Sequence, residues 1–163
     1  MDIFRAIEAS GISVWIREAD SLFAYWFILS WHCIGMGLAL GASVLIDLRI
    51  LGVAPDMPMA PLKKLYKYIW IGFWIQVVSG LLLLVAYPTK AFTNPDFYLK
   101  LALIAIALVL MQKLKKRVFD DPGLSETMMM AKGRVFAIST LVLWTGVVTA
   151  GRLLAYTYRM LTA

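Results

Sequence analysis

Residues 22–46 contain no aspartate, glutamate, lysine or arginine, a charge-free run of 25 residues. That is enough helix to cross the hydrocarbon core of a bilayer. Three further apolar runs follow, and turn-forming residues separate them. The stretch VAPDMPMAP at 53–61 holds three prolines and cannot continue a helix. Pro88 and the Asn94-Pro95 pair close the second run and open the third. Asp120-Asp121-Pro122-Gly123 ends the third, and a polar hairpin with Met128, Met129 and Met130 leads to the fourth. The pattern predicts helices at about 21–51, 65–87, 96–119 and 132–158. Before them, Ile3, Phe4 and Ile7, then Ile12, Trp15 and Ile16, recur at helical spacing among charges. This predicts an amphipathic helix lying in the membrane interface, with Gly11 as a break. The expected fold is all-α: one domain over 1–163, a four-helix transmembrane bundle with an N-terminal interfacial helix.

Composition agrees. The chain is 61% hydrophobic and 16% charged, against about 45–50% apolar in soluble domains. The net charge of +6 would suggest nucleic acid in a soluble protein. In a membrane protein it reflects basic cytoplasmic loops and anionic lipid, so the lipid bilayer is the expected partner and nucleic acid is not. One cysteine rules out an intrachain disulfide and a cysteine-based structural zinc site. The N-terminus lacks the basic and apolar regions of a cleaved signal, so the first long helix is expected to direct insertion. The connections between helices 1 and 2 and between helices 3 and 4 carry ten of the 16 basic residues, and the other side carries six. The positive-inside rule then places both termini outside, in the periplasm of a bacterial inner membrane.

An ionisable group inside a bilayer is costly and marks a functional site by default. The only histidine of the chain, His32, lies in the middle of the first long run. His32, Gly35 and Ala39 recur at spacing three to four and share a face. Counting from the helix ends puts Gln76, Ser79, Thr145 and Thr149 at the same depth as His32. Arg152 is one turn higher and Lys100 is near the top of helix 3. These groups form one polar layer. A neutral imidazole is a standard haem ligand, and the small residues beside it would admit a flat macrocycle or a neighbouring helix. With one histidine, two imidazoles of one subunit cannot sandwich an iron. A haem here is five-coordinate or shared across a homodimer. The competing reading of the same face is helix packing through Gly37-x-x-x-Gly41, with His32 satisfied by a carbonyl or Gln76. Copper is a further alternative, since His32, Cys33 and Met36 are soft or borderline ligands. However, Cys33 points about 100° away from His32 around the helix. At the other end, Asp47 and Arg49 do not face each other. Each is expected to bind another helix, Asp47 pairing with Arg134, as a structural clasp, with a proton path as the alternative. The sequence has no Ser-His-Asp set, glycine-rich phosphate loop or Cys-x-x-Cys motif.

Three segments carry a resemblance: WHCIGMGLALGASVLIDLRILG at 31–52, NPDFYLK at 94–100 and WTGVVTAGRLLAY at 144–156. Together they resemble a family of small bacterial four-helix inner-membrane proteins classed as a domain of unknown function. Its pattern is His-x-x-Gly, Asp-Leu-Arg-x-Leu-Gly, Asn-Pro-x-Phe-x-x-Lys and Gly-Arg-x-x-Ala-Tyr. More distantly, the His-bearing helix is similar to those of copper-resistance D-like proteins and of membrane protoporphyrinogen oxidases. The latter similarity implies haem b held by a histidine, with a functional lysine. The expectation is a haem-b redox module in the inner membrane. His32 would be the axial ligand, Gly35 and Ala39 would clear space, and Lys100 and Arg152 would neutralise the propionates. Gln76 and Thr149 would complete the polar layer. Quinone or a porphyrin-like substrate, and a homodimer or larger membrane complex, are the expected partners. The alternatives are a cofactor-free anchor or partner subunit, and a copper-handling membrane protein.

Overall fold

The computed structural model describes residues 2–19 and 24–161. Among them every regular element is helical. Two short helices, α1 (Asp2–Glu8) and α2 (Gly11–Glu18), precede α3 (Tyr25–Ile50). A 3₁₀ turn (Ala60–Lys64) runs into α4 (Leu65–Ala86). The short α5 (Pro88–Phe92) occupies the expected loop, and α6 (Pro95–Leu114) continues as a π-helical turn (Lys115–Phe119). The chain ends in α7 (Glu126–Leu161). Four segments, Tyr25–Ile50, Ala60–Ala86, Pro95–Phe119 and Glu126–Leu154, are long and apolar enough to span a membrane. The chain is thus a multi-pass membrane protein.

The element ends have local causes. The predicted start of the first span at Ser21 lies outside the described residues. At its other end, Gly52 takes φ +95°. Its N–H donates to Arg49 O (3.1 Å) and the Val53 N–H to Leu48 O (3.0 Å), the double bond of a glycine-terminated helix. The N-terminal helix is in two pieces, divided at Ser10 beside the expected break at Gly11; the Ser10 Oγ accepts from Ser13 N. The fourth span starts at Glu126 rather than near Lys132. Met128, Met129 and Met130 are therefore helical, not a hairpin. Ser125 explains this: its Oγ accepts from Met128 N (3.4 Å), a cap ahead of the apolar run.

α3 packs along α4 and α6 packs along α7, while α3 against α7 joins the two pairs. The buried face of α3 is Ile28, Gly35, Ala39, Ser43, Ile46, Asp47 and Ile50. Gly35 and Ala39 meet Gly72 of α4 so closely that a Cβ on Gly72 would lie 2.6 Å from Ala39 N and from Gly35 O. Small residues on both helices permit this approach. At the N-terminal end, α2 lies over the end of α4. Arg17 donates to Ala86 O (3.0 Å), placing a cation on the last carbonyls of that helix.

The apolar interior is divided. The larger cluster, including Ile46, Ile69, Met111, Leu114 and Trp144, lies toward the basic end, where the Lys- and Arg-rich connections gather. A smaller one, Ile16, Ile28 and Ala86, lies at the N-terminal end. The level between them holds the site.

Candidate functional site

Between the two apolar clusters, α3 and α4 bring small and polar residues together where they face each other. His32, Gly35 and Ala39 come from α3, and Gly72, Gln76 and Ser79 from α4. The Nδ1 of His32 lies 2.9 Å from Ser79 Oγ. A hydroxyl has one proton, and Ser79 gives its own to Ile75 O at 2.6 Å. With that proton on Ile75 O the Ser79 oxygen accepts, the arrangement that goes with a proton on His32 Nδ1. Nε2 is left with its lone pair. The main chain is tied as well: Gln76 Nε2 donates to His32 O at 2.7 Å. The imidazole lies over Gly80, where an added Cβ would sit 3.4 Å from His32 Cε1. Residues of α4 thus hold the imidazole and the backbone of a histidine on α3.

Of the residues expected in one layer, the structure gathers some and separates others. Gln76 and Ser79 meet His32. Lys100 of α6 lies along Gly151 of α7, where a Cβ would stand 3.5 Å from its Nζ. Gly35 and Ala39 share the His32 face as expected. Their role differs from the expectation, because the space beside them is taken by Gly72 and Ile75 of α4 rather than left for a flat group. Thr149 and Arg152 are exposed, on the side of α7 turned away from the buried Val147 and Ala150. Thr149 donates to Thr145 O on its own helix, and the Arg152 guanidinium sits 5.1 Å from the Tyr156 ring centroid. The glycine pair expected to pack helices, Gly37 and Gly41, has nothing within 4 Å of an added Cβ. Within the chain, Gly35 does that work. Cys33 is exposed, away from Ser79-bound His32. Among the described residues no three histidines, cysteines or acids group as metal ligands. Trp31 and Trp74 are exposed, and only Trp144 turns inward.

A second polar group lies one turn and more toward the basic end, inside the larger apolar cluster. Asp47 is fully buried. Its expected partner, Arg134, is exposed, and the carboxyl group meets hydroxyls instead. Thr140 Oγ1 is 2.7 Å from Oδ2 and Ser43 Oγ is 3.5 Å from it. Trp144 Nε1 donates to Ser43 Oγ (2.8 Å). Depth and periodicity alone do not single out Ser43, Thr140 and Trp144. The signal that finds them is paired spacing: Ser43 and Asp47 are four apart on α3, as are Thr140 and Trp144 on α7. Arg49 does clasp another helix, as expected. It is 4% exposed, pairs with Glu126 Oε2 (3.3 Å) and donates to Pro55 O and Met57 O. Glu126 Oε1 accepts from Met59 N (2.9 Å).

No family model, curated protein or solved structure matches the chain.

Proposed function

We infer that the protein is a haem-b-binding redox module of the bacterial inner membrane, with its termini on the periplasmic side. The observation that carries this is the proton count at His32. Ser79 holds the Nδ1–H, and the lone pair of Nε2 is left for a metal. A ligand imidazole whose second nitrogen donates to a fixed acceptor is the usual arrangement of a histidine bound to metal. The residues at this level fit one axial ligand, not two, since the chain has one histidine. Lys100 is the cation of the layer and suits an acidic substituent such as a propionate. Arg152, exposed beside Tyr156, suits the membrane surface better. Haem b, when bound there, supplies one-electron chemistry. The chain orients the imidazole through Ser79, anchors its backbone through Gln76 and excludes bulk water with apolar clusters on either side. The basic end is assigned to the cytoplasm by its lysines and arginines. Quinone or a porphyrin-like molecule is the proposed electron partner.

A reduced-minus-oxidised visible spectrum of the detergent-purified protein tests the reading. The expected result is a b-type spectrum that His32→Ala abolishes and Ser79→Ala retains in altered form. A colourless, folded protein overturns it. A cofactor-free partner subunit would then remain, for which the mutual satisfaction of His32, Ser79 and Gln76 already suffices.

A further inference from the structure

Asp47 stands apart from the His32 site and is not used by it. It is 0% exposed, in a membrane-spanning segment, and among the described residues no lysine or arginine pairs with it. The charged groups around it are engaged elsewhere. On α3, Arg49 is committed to Pro55, Met57 and Glu126. From α4 comes Tyr66, 5% exposed, and from the turn after α6 comes Lys115, which lies over the Tyr66 ring at 5.7 Å. The facing part of α6 supplies Met111, and α7 supplies Thr140 and Trp144. Asp120, past the end of α6, is bound to Lys63. An isolated carboxylate without a cation is too costly to keep in such a place.

The hydrogen-bond distances say where the compensating charge is. Four short contacts need one proton each. They are Thr140 Oγ1 to Asp47 Oδ2 (2.7 Å), Thr140 Oγ1 to Phe136 O (2.8 Å), Trp144 Nε1 to Ser43 Oγ (2.8 Å) and Ser43 Oγ to Met111 Sδ (3.2 Å). Thr140, Ser43 and Trp144 bring three protons between them. With Asp47 ionised, one of the two short Thr140 contacts would set lone pair against lone pair. With a proton on Asp47 Oδ2, all four are satisfied. The acid donates to Thr140, Thr140 donates to Phe136 O, and Ser43 donates to Met111.

We propose that Asp47 is a proton-binding site, loaded at neutral pH, that exchanges with the basic end of the bundle through Tyr66. Two buried polar side-chain atoms in this region lack a partner among the described residues: Asp47 Oδ1 and the Tyr66 hydroxyl. Tyr66 and Met111 line a groove of about 250 Å³ between α4 and α6, which Gln112 and Lys115 also border. Met111 joins that groove to Ser43, and Ser43 lies next to Asp47. A groove of this size admits water, and Tyr66 brings the one hydroxyl among the residues that line it. The ligand is therefore a proton drawn from the aqueous phase at the basic end. A sodium ion would call for the ionised acid and would leave the Thr140 proton contested.

Infrared difference spectroscopy of the full chain in lipid nanodiscs tests this. Wild type minus Asp47→Asn at pH 7 is expected to show the C=O stretch of a protonated carboxylic acid, shifted in D₂O. Thr140→Val, which removes the acceptor of that proton, should move the band to higher frequency. Tyr66→Phe should slow its H/D exchange several-fold. Asp47→Asn should keep the wild-type unfolding temperature, because its amide N–H repeats the donation to Thr140, whereas Asp47→Ala should lower it. Carboxylate bands in the difference spectrum overturn the proposal. So does a wild-type unfolding temperature that rises in sodium chloride but not in choline chloride at equal ionic strength. Exchange unchanged in Tyr66→Phe overturns the route. If Asp47→Asn does not fold, the wild-type band and its Thr140→Val shift decide the matter. None of these readings depends on haem, so this proposal and the redox proposal fail separately.

Discussion

A single missing Cβ sets the distance between α3 and α4. At Gly72 an added methyl would press on backbone atoms, Ala39 N and Gly35 O, both at 2.6 Å. Backbone cannot swing aside as a side chain can, so Gly72→Ala must push the helices apart. We expect it to cost about 1–3 kcal/mol, read by reversible unfolding in mixed detergent. Gly37→Ala, which meets nothing within 4 Å, should stay within about 0.5 kcal/mol of wild type. Height along a helix can be counted from its ends, and this is why Gln76 and Ser79 were legible as neighbours of His32. Rotation about the helix axis cannot be counted that way. Thr149 and Arg152 stand at the expected height but face outward, because the buried side of α7 is set by Val147 and Ala150 packing on the other helices. Gly35 and Gly37 pose the same problem two residues apart. Either could have been the packing glycine, and only the partner helix decides between them.

The spanning helices were legible as elements because charge-free length is decisive in a bilayer. Their ends were less so. Hydropathy starts the fourth helix where lysines stop, near residue 132, but a helix starts where its first N–H groups find an acceptor, and Ser125 supplies one. The early start matters, since it brings Glu126 to Arg49. That clasp binds the beginning of α7 to the end of α3 and to the proline-rich connection. Arg49→Met removes its charged donors together and should cost about 1.5–3 kcal/mol. Glu126→Gln keeps an acceptor for Met59 N and loses only a half-exposed ion pair, so it should cost less than about 1 kcal/mol. Chemical denaturation of the two variants side by side separates the contributions. A clasp of some kind was foreseen for the Asp47-Leu48-Arg49 segment. Its division was not: Arg49 holds chain to chain, and Asp47, two residues earlier, faces the interior.

For the molecule as a whole, the basic end is tied at its exposed surface by Lys63 to Asp120 (2.8 Å) and Lys132 to Asp121 (3.7 Å). Hydrogen bonding to Lys63 holds the Asp120 carboxyl below its ordinary range. A carboxyl lowered on folding stabilises the fold above its unfolded pKa of about 4 and loses that contribution as pH falls through the lower, folded value. Acidification below about pH 4 should therefore loosen the basic end, and Asp120→Asn should remove part of that sensitivity. Both effects should shrink in high salt, because the pair is exposed. Tryptic cleavage at the neighbouring lysines, measured after brief acid exposure and neutralisation on ice, reports the loosening. The close approach at Gly35 and Gly72 has a mechanical consequence at this scale. α3 and α4 come closest there, with the larger packed core on one side and, on the other, the smaller core and the ties of His32 to Ser79 and Gln76. The crossing is thus the fulcrum of a lever with unequal arms, the lighter of which carries the histidine.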